Sequence, residues 1–204
     1  MSLDIDNLNN SMIDILKELG NIGSGNAATA LATMIEKRVD MKVPQVKILE
    51  FKDVSNVLGG EETPVVGIYF EMTGELVGNI MFVLNLESAK NLTNIIFNRE
   101  DDDLSFTEMD MSALSEIGNI LASSYINSLS IMTGLKLKVS VPALSIDMAG
   151  AILSVPAIQF GYIADNVLFI ETQFEEGNNQ VKGNLFLIPD INSFEKMLNS
   201  FGVC

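Results

Sequence analysis

The chain has 204 residues, close to half of them apolar, with 27 acidic against 12 basic side chains and a formal charge of −15. That surplus of negative charge excludes nucleic acid as a ligand, because affinity there comes from neutralising phosphates with Lys and Arg; a protein partner with a basic patch fits better. With no histidine and one cysteine, Cys204, there is no Ser-His-Asp triad, Cys-His pair, imidazole site or multi-thiolate metal site, so any catalysis rests on carboxylates, amides, hydroxyls or lysines.

In chain order, the first periodic segment predicts a helix from about Ser11 to Lys37, broken or kinked near Gly20, Gly23 and Gly25. Pro44 then suits a rigid turn into a strand at Gln45–Phe51. The runs VVGIYFEM and ELVGNIMFVL meet at Thr73-Gly74 as a hairpin, and Ser88–Phe97 (SAKNLTNIIF) reads as a short helix. Glu100-Asp101-Asp102-Asp103 is expected to be a solvated linker with a weak resemblance to a cation site.

Thr107-x-x-Asp110 has the form of a capping box with Asp in place of Glu. It opens a second long helix that ends near Thr133-Gly134, glycine being a usual terminator. Pro142 precedes a strand at Ala143–Asp147. AILSVPAIQFGYIA is read as extended, followed by VLFIETQF and VKGNLFLI around a hairpin tip, EEGNNQ, at 175–180. Asn192–Phe201 (NSFEKMLNSF) is a closing helix.

No membrane span is expected. The uncharged stretch from Met148 to Ala164 contains Pro156 and Gln159 and is shorter than the ~20 apolar residues a crossing helix needs. The stretch from Ile117 to Leu135 is interrupted by Asn119, Asn127 and several serines. The N-terminus has no secretory pattern, and one terminal cysteine agrees with a reducing compartment, so the expected localisation is cytoplasmic.

One phrase occurs twice. ELGNIG at 18–23 returns as EIGNIL at 116–121, an offset of 98 (116 − 18). Without a gap, the same offset lays Leu31 on Leu129, Met34 on Met132, Val43-Pro44 on Val141-Pro142 and Ile48 on Ile146. The expectation is a single domain made of two repeats, about 8–99 and 104–201, each α-β-β-β-α. The fold class is α+β, a pseudo-twofold arrangement with an antiparallel sheet and the motif helices packed on one side.

On a helical wheel at ~100° per residue, Asp14, Glu18 and Asn21 fall in one narrow stripe. Ile15, Leu16, Leu19 and Ile22 mark the face predicted to be buried. Ser112, Glu116 and Asn119 form the same stripe in the second copy, opposite Leu114, Ile117, Ile120 and Leu121. A stripe of this kind is by itself a solvated face. However, Asn is a poor helix former, and the glycine before it costs roughly 1 kcal/mol relative to Ala, yet both stand in the same slots twice. The glycine is expected to let another backbone approach the amide closely.

The spacing Asp/Ser-x3-Glu-x2-Asn-x22-Pro resembles the signature of the CheC/CheX/FliY family of chemotaxis phosphatases. The chain fits it as Asp14-Glu18-Asn21-Pro44 and as Ser112-Glu116-Asn119-Pro142. Two motifs in a chain of this length, with no appended flagellar-switch domain, resemble the family's shorter two-motif members. The resemblance implies hydrolysis of the aspartyl phosphate of the response regulator CheY. Asn21 and Asn119 would orient water, and Glu18 and Glu116 would hold the regulator's lysine. Asp14 and Ser112 would be contact or helix-shaping residues, with Pro44 and Pro142 in support. It further implies no cofactor of the chain's own, Mg²⁺ on the phosphorylated partner, and CheD, a receptor-modifying deamidase, as a second partner. The alternative is a non-catalytic docking or adaptor protein for CheD or CheY.

Overall fold

A computed structural model describes residues 10–101, 103–160, 166–176 and 179–201. Helix α1 (Asn10–Ile35) leads to strand β1 (Asp40–Glu50), then to a 3-10 turn and the one-turn helix α2 (Val54–Val57). Strands β2 (Pro64–Gly74) and β3 (Gly78–Asn85) and helix α3 (Leu86–Phe97) complete the first half. The second half holds α4 (Glu108–Thr133), β4 (Leu137–Val139), β5 (Ala143–Met148), α5 (Ala149–Phe160), β6 (Asn166–Glu176), β7 (Asn179–Pro189) and α6 (Ile191–Ser200). The fold is α+β.

All seven strands join one antiparallel sheet in the order β1-β6-β7-β3-β2, with β4 and β5 pairing successive stretches of β2. The halves are interleaved. β1 of the first half lies on β6 of the second, with Val46 opposite Ile170, and β5 of the second lies on β2 of the first, with Leu144 opposite Ile68. The hairpins β2–β3 and β6–β7 meet at the centre, where β3 pairs with β7. Each outer strand is therefore held by the other half's hairpin.

Alternate residues of the central strands bury opposite faces, as the strand period of 2 requires. Ile68, Phe70, Met72, Ile80, Phe82 and Leu84 pack with residues of α1, α4, α3 and α6 in the larger core. Val65, Met81, Val83, Val167, Phe169 and Phe186 face the other way, beneath Val54 and Leu58 around α2 and Ala149, Ile152 and Leu153 of α5. Strands covered on both faces read as continuous apolar runs, which is how β2 and β3 read.

Several expectations are corrected. Helix α1 runs unbroken past its glycines, because Gly20 and Gly23 are sites of close packing and not of a break. The segment AILSVPAIQF is helix α5, not strand; its buried residues Ala149, Ile152, Leu153 and Pro156 recur at helical spacing. The remainder of that predicted strand, 161–164, lies outside the described residues. Helices α1, α3, α4 and α6 share one face, the motif helices among them as expected, while α2 and α5 cover the other. Strand β1 begins at Asp40, before Pro44. That proline sits inside the strand where the register with β6 shifts between Lys42 and Gln45, a place where a missing N–H is tolerated. Pro142 lies between β4 and β5. Neither proline forms the turn from helix to strand.

The link between halves is also more than solvated chain. Lys90, only 3% exposed, donates to the Ser105 carbonyl at 3.0 Å and pairs with Asp101 at 2.6 Å. The Lys90 ammonium beside Asp101 holds that carboxyl below its usual value. Asp102 lies outside the described residues.

Candidate functional site

Both motif stripes are built by the packing of their helices. In α1, Leu16 and Leu19 are 1% and 2% exposed, which turns Asp14, Glu18 and Asn21 outward, all three exposed. In α4, Leu114, Ile117 and Leu121 are buried in the same way. Ser112 and Glu116 are exposed there and Asn119 is half-buried. Ile22, expected on the buried face, is 37% exposed: it lies at the solvent edge of the apolar arc, beside Asn21. Ile120, its counterpart, is half-buried.

The glycines before the asparagines act inward. A Cβ at Gly20 would lie 3.1 Å from Cγ1 of Val43 and 3.4 Å from Cγ2 of Val46. One at Gly118 would lie 2.9 Å from Cγ2 of Ile68. Both glycines are buried. They set the motif helices close to the sheet, and the expectation that they admit a partner's backbone is overturned. Deeper in the helix pair, a Cβ at Gly23 would lie 2.5 Å from Cδ1 of Tyr125, so the Tyr125 ring of α4 rests on the α1 backbone two residues beyond Asn21.

Local hydrogen bonds fix the frame. The Ser24 hydroxyl donates to the Asn21 carbonyl at 3.0 Å, and the Asn26 amide donates to Ser128 across the two helices at 3.5 Å. Helix α4 starts with the expected capping box, in which Thr107 and Asp110 bond reciprocally. Asp110 is fully buried and also pairs with Arg99. Burial pushes the Asp110 carboxyl up, but the Thr107 N–H and hydroxyl and the Arg99 guanidinium outweigh it and hold it below its usual value. Gly134, in the left-handed conformation at φ 72°, ends the helix.

The four central motif side chains, Glu18, Asn21, Glu116 and Asn119, make no hydrogen bond or ion pair with another described residue. Their carboxylates and amides are free for a partner. Around them the two stripes differ. Lys17, one position before Glu18, lies 4.0 Å from Asp14, and its place on the wheel, about 60° from Asp14, flanks the stripe on the side of Asn21. In α4 the Ser112 hydroxyl donates to the Glu108 carbonyl at 2.9 Å and the Ser115 hydroxyl to the Met111 carbonyl at 2.8 Å. Pro44 is exposed and Pro142 half-buried. The contact to the helix is made by Val43, whose counterpart Val141 is 84% exposed.

Both stripes lie on open helix faces. A polar cavity of about 630 Å³, lined by Lys37, Asn94, Asn98, Arg99 and Glu100 among others, contains no motif residue. Among the described residues, no group of three or more Asp, Glu or Cys side chains is arranged to hold a metal ion. No helix among them is long and apolar enough to cross a membrane.

A model of the CheC-like family matches residues 13–48 and 109–146, the segments that carry the two stripes. The CheY-P phosphatase CheC of Bacillus subtilis is 36% identical over 195 residues, covering 93% of each chain. This chain belongs to the CheC-like family. Two crystal structures agree on the fold. FliY of Thermotoga maritima superposes with a TM-score of 0.76 at 24% identity, covering 96% of this chain and 98% of that one. CheX in a CheX–CheY–BeF3–Mg complex from Borrelia burgdorferi superposes with a TM-score of 0.51 at 17% identity, covering 85% of this chain and 96% of that one.

Proposed function

We propose that this CheC-like chain is a phosphatase of the aspartyl phosphate on a CheY-type response regulator. The observation that carries the reading is the pair of open helix faces on which Glu18 with Asn21, and Glu116 with Asn119, stand uncommitted to any other described residue. The reading is supported by membership of a family whose Bacillus subtilis member, 36% identical, is a CheY-P phosphatase.

The chemistry asks little of the chain. An acyl phosphate is already activated, and Mg²⁺ held by the regulator's own carboxylates neutralises its oxygens. Water attacks phosphorus in line with the bond to the aspartyl oxygen. That bond breaks, the aspartate leaves as a carboxylate, and inorganic phosphate departs with the water's oxygen. Phosphoryl transfer of this kind depends on positioning and electrostatics.

Asn21 or Asn119 enters the regulator's site and accepts a hydrogen bond from the attacking water through its amide oxygen. Glu18 or Glu116, one helical turn earlier, receives the regulator's lysine and fixes the register of docking. Asp14 and Ser112 contact the regulator at the flank, and Pro44 and Pro142 shape the adjoining backbone. The chain needs no cofactor of its own, and its setting is cytoplasmic, where such regulators diffuse.

The test is the decay of phosphorylated CheY, alone and with the wild type, Asn21→Ala, Asn119→Ala and the double variant. Each single change should leave the other site working. The double variant should lose about 10²-fold of the acceleration while still binding. Glu18→Gln and Glu116→Gln together should weaken binding instead. If decay never changes although the regulator binds, the phosphatase reading falls and a docking or adaptor role, toward CheY or CheD, takes its place.

A further inference from the structure

The two stripes carry the same Glu and Asn but different charge. Lys17 is the only basic residue in α1, and α4 contains none. It stands at the edge of the motif stripe, 58% exposed, 4.0 Å from the 75%-exposed Asp14. The second stripe has Ser112 and Ser115 in the same two places, with both hydroxyls turned back onto carbonyls of their own helix. One turn before Ser112, the exposed Glu108 adds a second carboxylate to that face, two turns from Glu116. The first stripe is thus a mixed-charge surface, whereas the second is purely acidic.

An exposed i,i+3 pair contributes next to nothing to folding, and Lys17 makes no ion pair besides the one with Asp14 among the described residues. Its ammonium is therefore free to turn toward a docked partner. A phosphorylated aspartate with bound Mg²⁺ is ringed by phosphoryl and carboxylate oxygens. A protein of charge −15 approaches such a rim against repulsion, and one cation at the edge of the docking stripe relieves it locally.

We propose that Lys17 is a specificity-determining residue, which makes the first site select its regulator through an acidic rim, while the second site, lacking it, selects a less acidic or more basic one. This rests on the phosphatase reading above. The two sites then differ in the response of KM to salt, because rim charges act on encounter and are screened. The Debye length falls from about 10 Å at 0.1 M salt to about 3 Å at 1 M.

The experiment uses single-site forms, Asn119→Ala to isolate the first site and Asn21→Ala to isolate the second, with phosphorylated CheY at about 0.03 M and about 0.5 M salt. KM of the first site should rise roughly fivefold with salt, and that of the second should stay level or fall, with kcat unmoved in both. Adding Lys17→Ser to the first-site form should raise its low-salt KM and abolish the salt response without moving kcat. Lys17→Arg should keep both, and a merely structural role for Lys17 has no reason to show that pattern. Equal salt slopes at the two sites, or a salt slope indifferent to Lys17→Ser, overturn the inference and leave the phosphatase reading standing. No acceleration by the wild type at any salt overturns both.

Discussion

Gly23 is where single-residue chemistry bears most directly on the site. The Tyr125 ring occupies the space a Cβ would need, so Gly23→Ala forces either the ring or the helix to move. Overpacking of this kind costs about 1–3 kcal/mol, and for a chain of this size the melting temperature should drop by ~2–4 °C per kcal/mol. Tyr125 adds a companion test. Its hydroxyl is buried without a hydrogen-bond partner among the described residues, and burial pushes its phenol well above the usual value. Tyr125→Phe should therefore leave stability unchanged or raise it, since removing an unpaired buried hydroxyl removes a desolvation cost. A clear drop in melting temperature on Tyr125→Phe would count against this packing. At this scale the sequence disclosed the stripes, because the 3.6-residue period alone places Glu18 and Asn21 together. It did not disclose what the glycines touch. Val43, Ile68 and Tyr125 come from other elements, and nothing in the phrase GN announces whether its glycine faces a partner or its own core.

Among elements, α4 and α5 mark the two extremes of legibility. Helix α4 announces both ends: Thr107 and Asp110 form the box that the spacing predicted, and Gly134 stops the helix where expected. Helix α5 is disguised in the sequence because Ala151, Val155 and Ile158 are apolar yet exposed. They hide the helical recurrence of Ala149, Ile152, Leu153 and Pro156 inside a uniformly hydrophobic run, and a proline within a helix is itself unusual. The box of α4 can be tested directly. Thr107→Ala should cost about 1 kcal/mol, read as a lower denaturation midpoint. The pH dependence follows from Asp110, whose carboxyl is held below its usual value in the folded state. A lowered carboxyl contributes stability that is present above the unfolded-state value and is lost as pH falls through the folded one. The wild type should therefore lose stability on acidification in a step that Asp110→Asn removes. If chemical denaturation gives the same midpoint shift with pH for both proteins, the carboxylate is not the anchor described here.

Over the whole molecule, the interleaved sheet decides how the halves depend on each other. We infer that the chain is one folding unit of two repeats, since β1 finds its partner in β6 and β5 finds its partner in β2. A protein cut between α3 and α4 should give two pieces that are each unfolded alone by circular dichroism and that regain the native spectrum when mixed. A well-dispersed NMR spectrum from either piece by itself would overturn this. The exchange of outer strands was not legible in the sequence. The offset of 98 (116 − 18) shows what resembles what, but the outer strands β1 and β5 pair with strands that are not their counterparts, and a single sequence carries no trace of it.

The same exchange sets an order of events at the ribosome. Val46 is paired with Ile170, which is synthesised 124 residues later (170 − 46). At ~5–20 residues per second, strand β1 waits about 6–25 s with its backbone donors and acceptors unmatched. Over that interval the first half is a nascent chain in which helix α1 and the β2–β3 hairpin are able to form, while β1 has no strand edge to pair with. The protein's exposure to aggregation is thus greatest before translation ends, and it is brief because β6 closes the edge soon after it emerges.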